Sequence, residues 1–199
     1  LRDIAARIEL GHDAGREHRV PSLTLRADRA RASGSARIAA DAPFALEAQL
    51  QATSIDGAAR PWQASAKAAG PLAAIAVNAQ LTSPQAAGAQ LDAQATVSPF
   101  AAWPLSQLQA STRALDLAAL FTDAPQTQIS GQARIDTQGL DQPITASVKL
   151  ANAQAGRWDE RRLPLAEVEL DIAGRADQRD RLTLRRFELR APGDGGRAT

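Results

Sequence analysis

The chain of 199 residues contains no cysteine, methionine or tyrosine, and only four phenylalanines, three tryptophans and two histidines. Without cysteine there is no disulfide framework, thiolate ligand or redox pair. Aromatics make up 4% of the chain, so the apolar share falls to alanine and modest aliphatics, and a closed core would be thin. No run approaches the roughly 20 apolar residues of a membrane-spanning helix, and no signal-peptide pattern is present. An excess of one charge is also missing. Lys and Arg number 23 against 22 Asp and Glu, a net charge of +1, which excludes the strong positive field that draws nucleic acid. The chain opens on Leu1, in an alternating segment, and closes on Gly195-Gly196-Arg197-Ala198-Thr199. Both ends are expected to continue in a longer protein that carries the targeting information.

What is present is alternation. Apolar and polar residues exchange every position for eight to twelve residues, a turn intervenes, and the pattern resumes from Leu23 to Leu189. Period two is the mark of a strand with one apolar and one wet face. Phe44, Leu46, Ala48 and Leu50 oppose Ala45, Glu47 and Gln49; Ile75, Val77 and Leu81 oppose Asn78 and Gln80. Turn signals such as Asp56-Gly57 and Gly70-Pro71 separate the runs. The run Ala87 to Val97, with Leu91 in its apolar phase, is followed by a change of period. Leu117, Leu120 and Phe121 stand at i, i+3 and i+4, which predicts one or two helical turns. Strands resume through Ile129 and Ile135, then Ile144, Val148 and Leu150, then Val168, Leu170 and Ile172. Leu182 and Leu184 share one phase and Phe187 and Leu189 the other, so a bulge is expected at Arg185-Arg186.

The phrase Ser-Gly-x-Ala-Arg-Ile occurs at Ser33–Ile38 and again at Ser130–Ile135. It suggests units of about a hundred residues, 23–121 and 122–190, with a further one begun at 191–199. The expected fold is all-β: ten or eleven amphipathic strands in an elongated curled sheet, an open groove with one short helical connector. A β-sandwich is the alternative. Against the sandwich stands volume, because alanine faces fill poorly the roughly 10 Å between packed sheets.

No catalytic constellation emerges, and the chain is read as a non-enzyme without cofactor or metal. His12 and His18 lie six apart in one hairpin segment, a spacing that suits no standard zinc site. No Gly-x-Ser-x-Gly elbow accompanies the serines, and Glu167 and Glu169 alternate on a strand as a wet face does. Gly193-Asp194-Gly195-Gly196 lacks the Lys-Ser or Lys-Thr of a phosphate loop. The groups Arg157, Arg161, Arg162 and Arg185, Arg186, Arg190 read as solvated strand ends, with anionic headgroups or a protein partner as the alternative. Trp62, Trp103 and Trp158 are too scattered for a nucleic-acid stacking platform.

The order of alternating strands, the connector Leu115-Asp116-Leu117-Ala118-Ala119-Leu120, the phrase Ser130–Ile135, the stretch Leu150–Gly156 and Leu163-Pro164-Leu165 together resemble the periplasmic region of the TamB family, AsmA-like subunits of the translocation and assembly module. The resemblance covers most of Phe44 to Thr199. It implies a β-taco with an apolar interior, located in the periplasm, tethered to the inner membrane by a segment outside this chain, and meeting a TamA-like outer-membrane barrel. It implies phospholipid passage between the membranes and support of outer-membrane protein assembly, autotransporters among them. A scaffold that pairs with client strands by β-augmentation, without conducting lipid, is the rival expectation. The alternation assigns the groove lining to Phe44, Leu46, Leu50 and Trp62, to Ile75, Val77, Leu81, Leu91 and Val97, to Ile129, Ile135, Ile144, Val148 and Leu150, and to Val168, Leu170 and Ile172.

Overall fold

The structure, a computed structural model, describes residues 3–55, 60–83, 88–121, 123–137, 142–175 and 182–193. The expected Asp56-Gly57 turn, Ala87 and the glycines after Gly193 lie outside the described residues. Twelve strands follow in chain order: β1 Asp3–His12, β2 Glu17–Arg26, β3 Ala30–Ala39, β4 Ala45–Ser54, β5 Gln63–Pro71, β6 Ile75–Ser83, β7 Ala89–Val97, β8 Leu105–Leu115, β9 Ile129–Thr137, β10 Pro143–Asn152, β11 Glu167–Arg175 and β12 Thr183–Arg190. A single helical turn, α1 (Leu117–Leu120), lies between β8 and β9, and a 3-10 turn at Trp158–Glu160 between β10 and β11.

All strands form one sheet in the order of the chain, each antiparallel to the next. The all-β expectation of repeated amphipathic strands therefore holds, and so does the helical turn at Leu117–Leu120. The taco does not. The sheet is open and uncurled, with β1 and β12 outermost among the described strands. Among the described residues no second sheet packs on it, so the sandwich alternative is not what they form. The physical reason lies in the apolar side chains: a wall made largely of methyl groups has too little reach to meet itself across a groove or to hold a facing layer.

Strand β8 is the one that alternation missed. Leu105 and Leu108 have opposite parity, which breaks period two, and the sheet absorbs the break by a register shift between Val97–Leu105 and Thr96–Gln107. Besides a shift in β1 between Glu9 and His12, three further irregularities keep phase elsewhere. Pro21, which has no N–H for a ladder, sits within the shift between Val20 and Leu23 of β2. Ala114, with φ of 50°, sits in the shift between Thr112 and Leu115, its N–H donating to Ser130 Oγ at 2.9 Å. The expected bulge near the C-terminus falls at Arg185: Asp171 pairs with Arg186 and Ile172 with Leu184.

The register also explains the repeated Ser-Gly phrase. Gly34 of β3 lies opposite Leu50 and Gly131 of β9 opposite Leu150. A Cβ at Gly34 would stand 2.5 Å from Gln49 O, and one at Gly131 would stand 2.0 Å from Lys149 O, where φ is also +149°. Both glycines let the neighbouring backbone approach closely. Gly131→Ala is expected to lower stability by about 2 kcal/mol, read as a fall in the urea midpoint. Gly15→Ala, in the exposed β1–β2 turn where no atom lies within 4 Å, should cost only about 1 kcal/mol for its left-handed backbone.

Candidate functional site: the apolar face and its two rims

Pairing carries like residues opposite like across the whole sheet. One row runs Ala6, Leu23, Gly34, Leu50, Ala66, Ala79 and on through Ala93, Ala110, Ala133, Val148, Leu170 and Phe187. A second runs Val20, Ala36, Ala48, Ala68, Val77, Ala95, Leu108, Ile135, Ala146, Ile172, Leu184. A third, on the other side of the first, takes in Ile4, Leu25, Ala32, Ala52, Ala64, Leu81, Leu91, Thr112, Gly131, Leu150, Val168 and Leu189. The only polar side chain in these three rows is Thr112, whose hydroxyl donates to Gln90 O at 2.9 Å.

The middle row is a furrow. From β5 to β9 it offers five alanines in succession, Ala66, Ala79, Ala93, Ala110 and Ala133. Its flanks are raised by Val77, Leu108 and Ile135 on one side and by Leu81 and Leu91 on the other. The furrow crosses the strands at right angles and is about 19 Å long at 4.8 Å per strand. It lies open: the apolar residues of β4 and β5 are half-buried and alternate with exposed polar ones. Among the described residues the buried apolar side chains are only Ile75, Leu81, Ala89, Ala114 and Ala173.

Most residues assigned to the groove lining share this face: Leu46, Leu50, Ile75, Val77, Leu81, Leu91, Val97, Ile129, Ile135, Ile144, Val148, Leu150, Val168, Leu170 and Ile172. Two are placed differently. Phe44 precedes β4 in a turn with φ of 54°, and Trp62 lies ahead of β5 with its indole N–H donating to Ala119 O at 3.1 Å.

That bond belongs to a polar seam along the end of the sheet where β8 stops and β9 starts. Asp116 caps α1: its Oδ1 accepts from the N–H of Ala118 and of Thr127, both at 3.1 Å, and its Oδ2 meets Arg60. Thr127, 2% exposed, accepts from Leu117 N and donates to Leu115 O. Arg29, in the β2–β3 turn, donates to Ala118 O at 3.1 Å. The connector thus reaches back along the rim to strands far from its own. Alongside it, buried Ser83 donates to Pro61 O at 2.6 Å, and Asn152 Oδ1 accepts from Gln128 N and Gln154 N. Sequence reasoning missed this seam, though Asp116 directly before Leu117 is a helix-capping signal.

On the opposite rim three turns are apolar. Pro43-Phe44, Pro71-Leu72 and Pro99-Phe100 recur at intervals of 28 residues, one in every second turn, and Phe44, Leu72 and Phe100 border a shared depression. Phe100 is 81% exposed.

The polar face carries cross-strand ion pairs. Arg37 meets Glu47 at 2.7 Å, and the Glu47 hydrogen bond followed by its charge holds that guanidinium above its ordinary pKa. Arg186 bonds Glu188 at 3.0 Å and Glu169 at 2.5 Å, and its pKa is raised by the Glu188 hydrogen bond together with the nearby Glu169 charge. Lys149 completes a line with Glu169 at 3.4 Å. Depressions between β1 and β6 lie on this polar side, one around Arg26, Arg31, Ser33 and Gln51 and another around Arg37, Glu47 and Lys67. His12 ends β1, and His18 Nδ1 accepts from Gly11 N at 3.1 Å. No group of three or more metal-binding side chains occurs among the described residues, and no described helix is long and apolar enough to cross a membrane.

Comparison with protein-family models, with curated proteins and with solved structures finds no match to this chain.

The seam is testable apart from any ligand. Asp116→Ala removes a cap and leaves the N–H groups of Ala118 and Thr127 without their acceptor, and should cost about 2–3 kcal/mol. Hydrogen exchange should then rise first at the Ala118 and Thr127 amides, with the β10–β11 amides unchanged.

Proposed function

We propose that this chain is a length of apolar sheet over which the acyl chains of phospholipids pass, as a periplasmic segment of a TamB-like protein joining the inner and outer membranes. The alanine furrow carries the reading. A channel of methyl groups about 19 Å long, walled by aliphatic side chains and running along the sheet axis, suits an extended hydrocarbon and gives it no polar group to lodge on. Uniformity favours sliding: each step exchanges one methyl contact for another. The inner-membrane tether and the TamA-like barrel belong to the same proposal, as does support of autotransporter assembly.

A second reading, a scaffold for outer-membrane protein strands by β-augmentation, draws on a different observation, the two outermost strands, which among the described residues pair on one side only. The two readings part on the furrow. Lipid extracted from the purified chain and identified by mass spectrometry should be phospholipid, and Ala93→Phe, which fills the furrow at its centre, should lower the recovered amount several-fold. Val148→Asp with Leu170→Asp should do the same where the row continues. Equal lipid recovery from folded variants, or none from the wild-type chain, would overturn the proposal.

A further inference from the structure

We propose that the turns carrying Phe44, Leu72 and Phe100 meet the same turns of a second copy, so that two chains lie rim to rim with their sheet axes parallel. These turns fall between strands inside the chain, one in every second connection. At about 4.8 Å per strand their tips repeat every ~9.6 Å along the rim, and a second copy presents that same period. The patch is built of large exposed groups: Phe100 is 81% and Phe44 44% exposed, and both border one depression with Leu72. Phe44 is also held in the left-handed region, with φ of 54°, an uncommon conformation for a bulky side chain. Strain of this kind gathers where a surface is used.

Charge and area select the partner. No residue from Ala68 to Leu91 or from Ala93 to Thr112 is charged, so the turns of Leu72 and Phe100 and the strand ends beside them can be dried without stranding an ion, as the centre of an interface requires. Charges enter at the Phe44 end. There Ala40 N donates to Arg16 O at 2.8 Å, which sets exposed Arg16 beside exposed Asp41. A two-fold axis along the rim brings Asp41 of each copy to Arg16 of the other, so the two ion contacts close reciprocally. At 81% and 44% exposure the two phenylalanines offer about 250 Å² per copy on the scale of aromatic side chains. With Leu72 and the three prolines the patch reaches about 500 Å², within the size of functional apolar patches. Two such patches bury about 1,000 Å², the lower bound for a specific interface, so the dimer is reversible. A half-turn about the rim carries the two apolar faces to opposite sides and leaves both furrows open. The contact itself needs no lipid; only its parallel orientation rests on the shared membrane tether proposed above.

The chain has no cysteine, so single thiols placed on the turns report the contact. The sites of Ala42→Cys and Ala101→Cys lie about 19 Å apart along the rim, beyond the ~6 Å reach of a disulfide. Under mild oxidation each variant alone should give a disulfide-linked dimer on a non-reducing gel. Sedimentation of the wild-type chain should show mass rising with concentration toward that of two copies. Phe100→Ser should weaken this association at least tenfold, whereas Phe121→Ser, at a side chain 61% exposed on the opposite rim, should leave it unchanged. Crosslinking only when the two cysteine variants are mixed would mean antiparallel axes and overturn the proposal. Equal effects of the two serine variants would do the same, as would a chain that stays monomeric at all concentrations. A monomer that instead floats with phosphatidylethanolamine vesicles, and loses this with Phe100→Ser, would assign the rim to a membrane.

Discussion

Everything in this structure depends on register. A sheet side chain alternates faces with every residue, so one uncorrected slip would send a whole strand's apolar set to the wet side. The chain slips several times, at Pro21, between Val97 and Leu105, at Ala114 and at Arg185. Each of these four slips coincides with a place where the sequence loses phase or cannot supply a hydrogen bond. The irregularities therefore act as corrections, and they are the reason that rows starting at Ile4, Val20 and Ala6 arrive at Leu189, Leu184 and Phe187 without changing face.

Because each strand packs only on its neighbours in sequence, stability is spread along the sheet as it is in repeat proteins, where unit and nearest-neighbour terms add. The seam at the α1 rim is the exception. Arg29 through Ala118 O, and Arg60 and Trp62 through Asp116 and Ala119 O, tie the β8–β9 connector to turns six and four strands earlier, by polar contacts rather than by a core. Polar groups can do this here because each donor and acceptor named is satisfied, which makes their burial tolerable. On the other rim the described ties between turns are backbone ones, Leu72 N to Pro43 O and Ala40 N to Arg16 O, and Phe44, Leu72 and Phe100 turn outward, so the two long sides of the face differ in chemistry: polar side chains pin one, and apolar side chains mark three turns of the other.

Much of this was legible in the residues. Alternation located eleven strand regions, the spacing of Leu117, Leu120 and Phe121 located α1, and the phase change around Arg185 located a bulge. Strand β8 escaped because Leu105 and Leu108 differ in parity, and only the partner strand shows how the shift is absorbed. The furrow escaped for a related reason: Ala66, Ala79, Ala93, Ala110 and Ala133 are unremarkable one at a time and become a feature only when pairing sets them in line. The interval of 28 residues between Pro43, Pro71 and Pro99 is present in the sequence, but three Pro-apolar pairs are a weaker signal than the six-residue phrase repeated around Gly34 and Gly131. Curl was inferred from what an apolar face must cover, and the face instead stays open because methyl groups give curvature nothing to close on.

An open face changes the energetics of the proposed ligand. An acyl chain of about 15 methylenes fully removed from water gains about 12 kcal/mol at ~0.8 kcal/mol per methylene. An uncurled sheet shields one side of it, so the gain is nearer half, about 6 kcal/mol by the same coefficient. That is roughly ten times thermal energy, sufficient to keep a chain on the surface. It is also spread evenly along the furrow, so displacement along the sheet axis costs far less than departure from it. The thinness that denies this chain an ordinary core is then what would let one surface hold a hydrocarbon and release it by translation. A taller wall of leucines would grip particular positions, and a second sheet would exclude the ligand altogether.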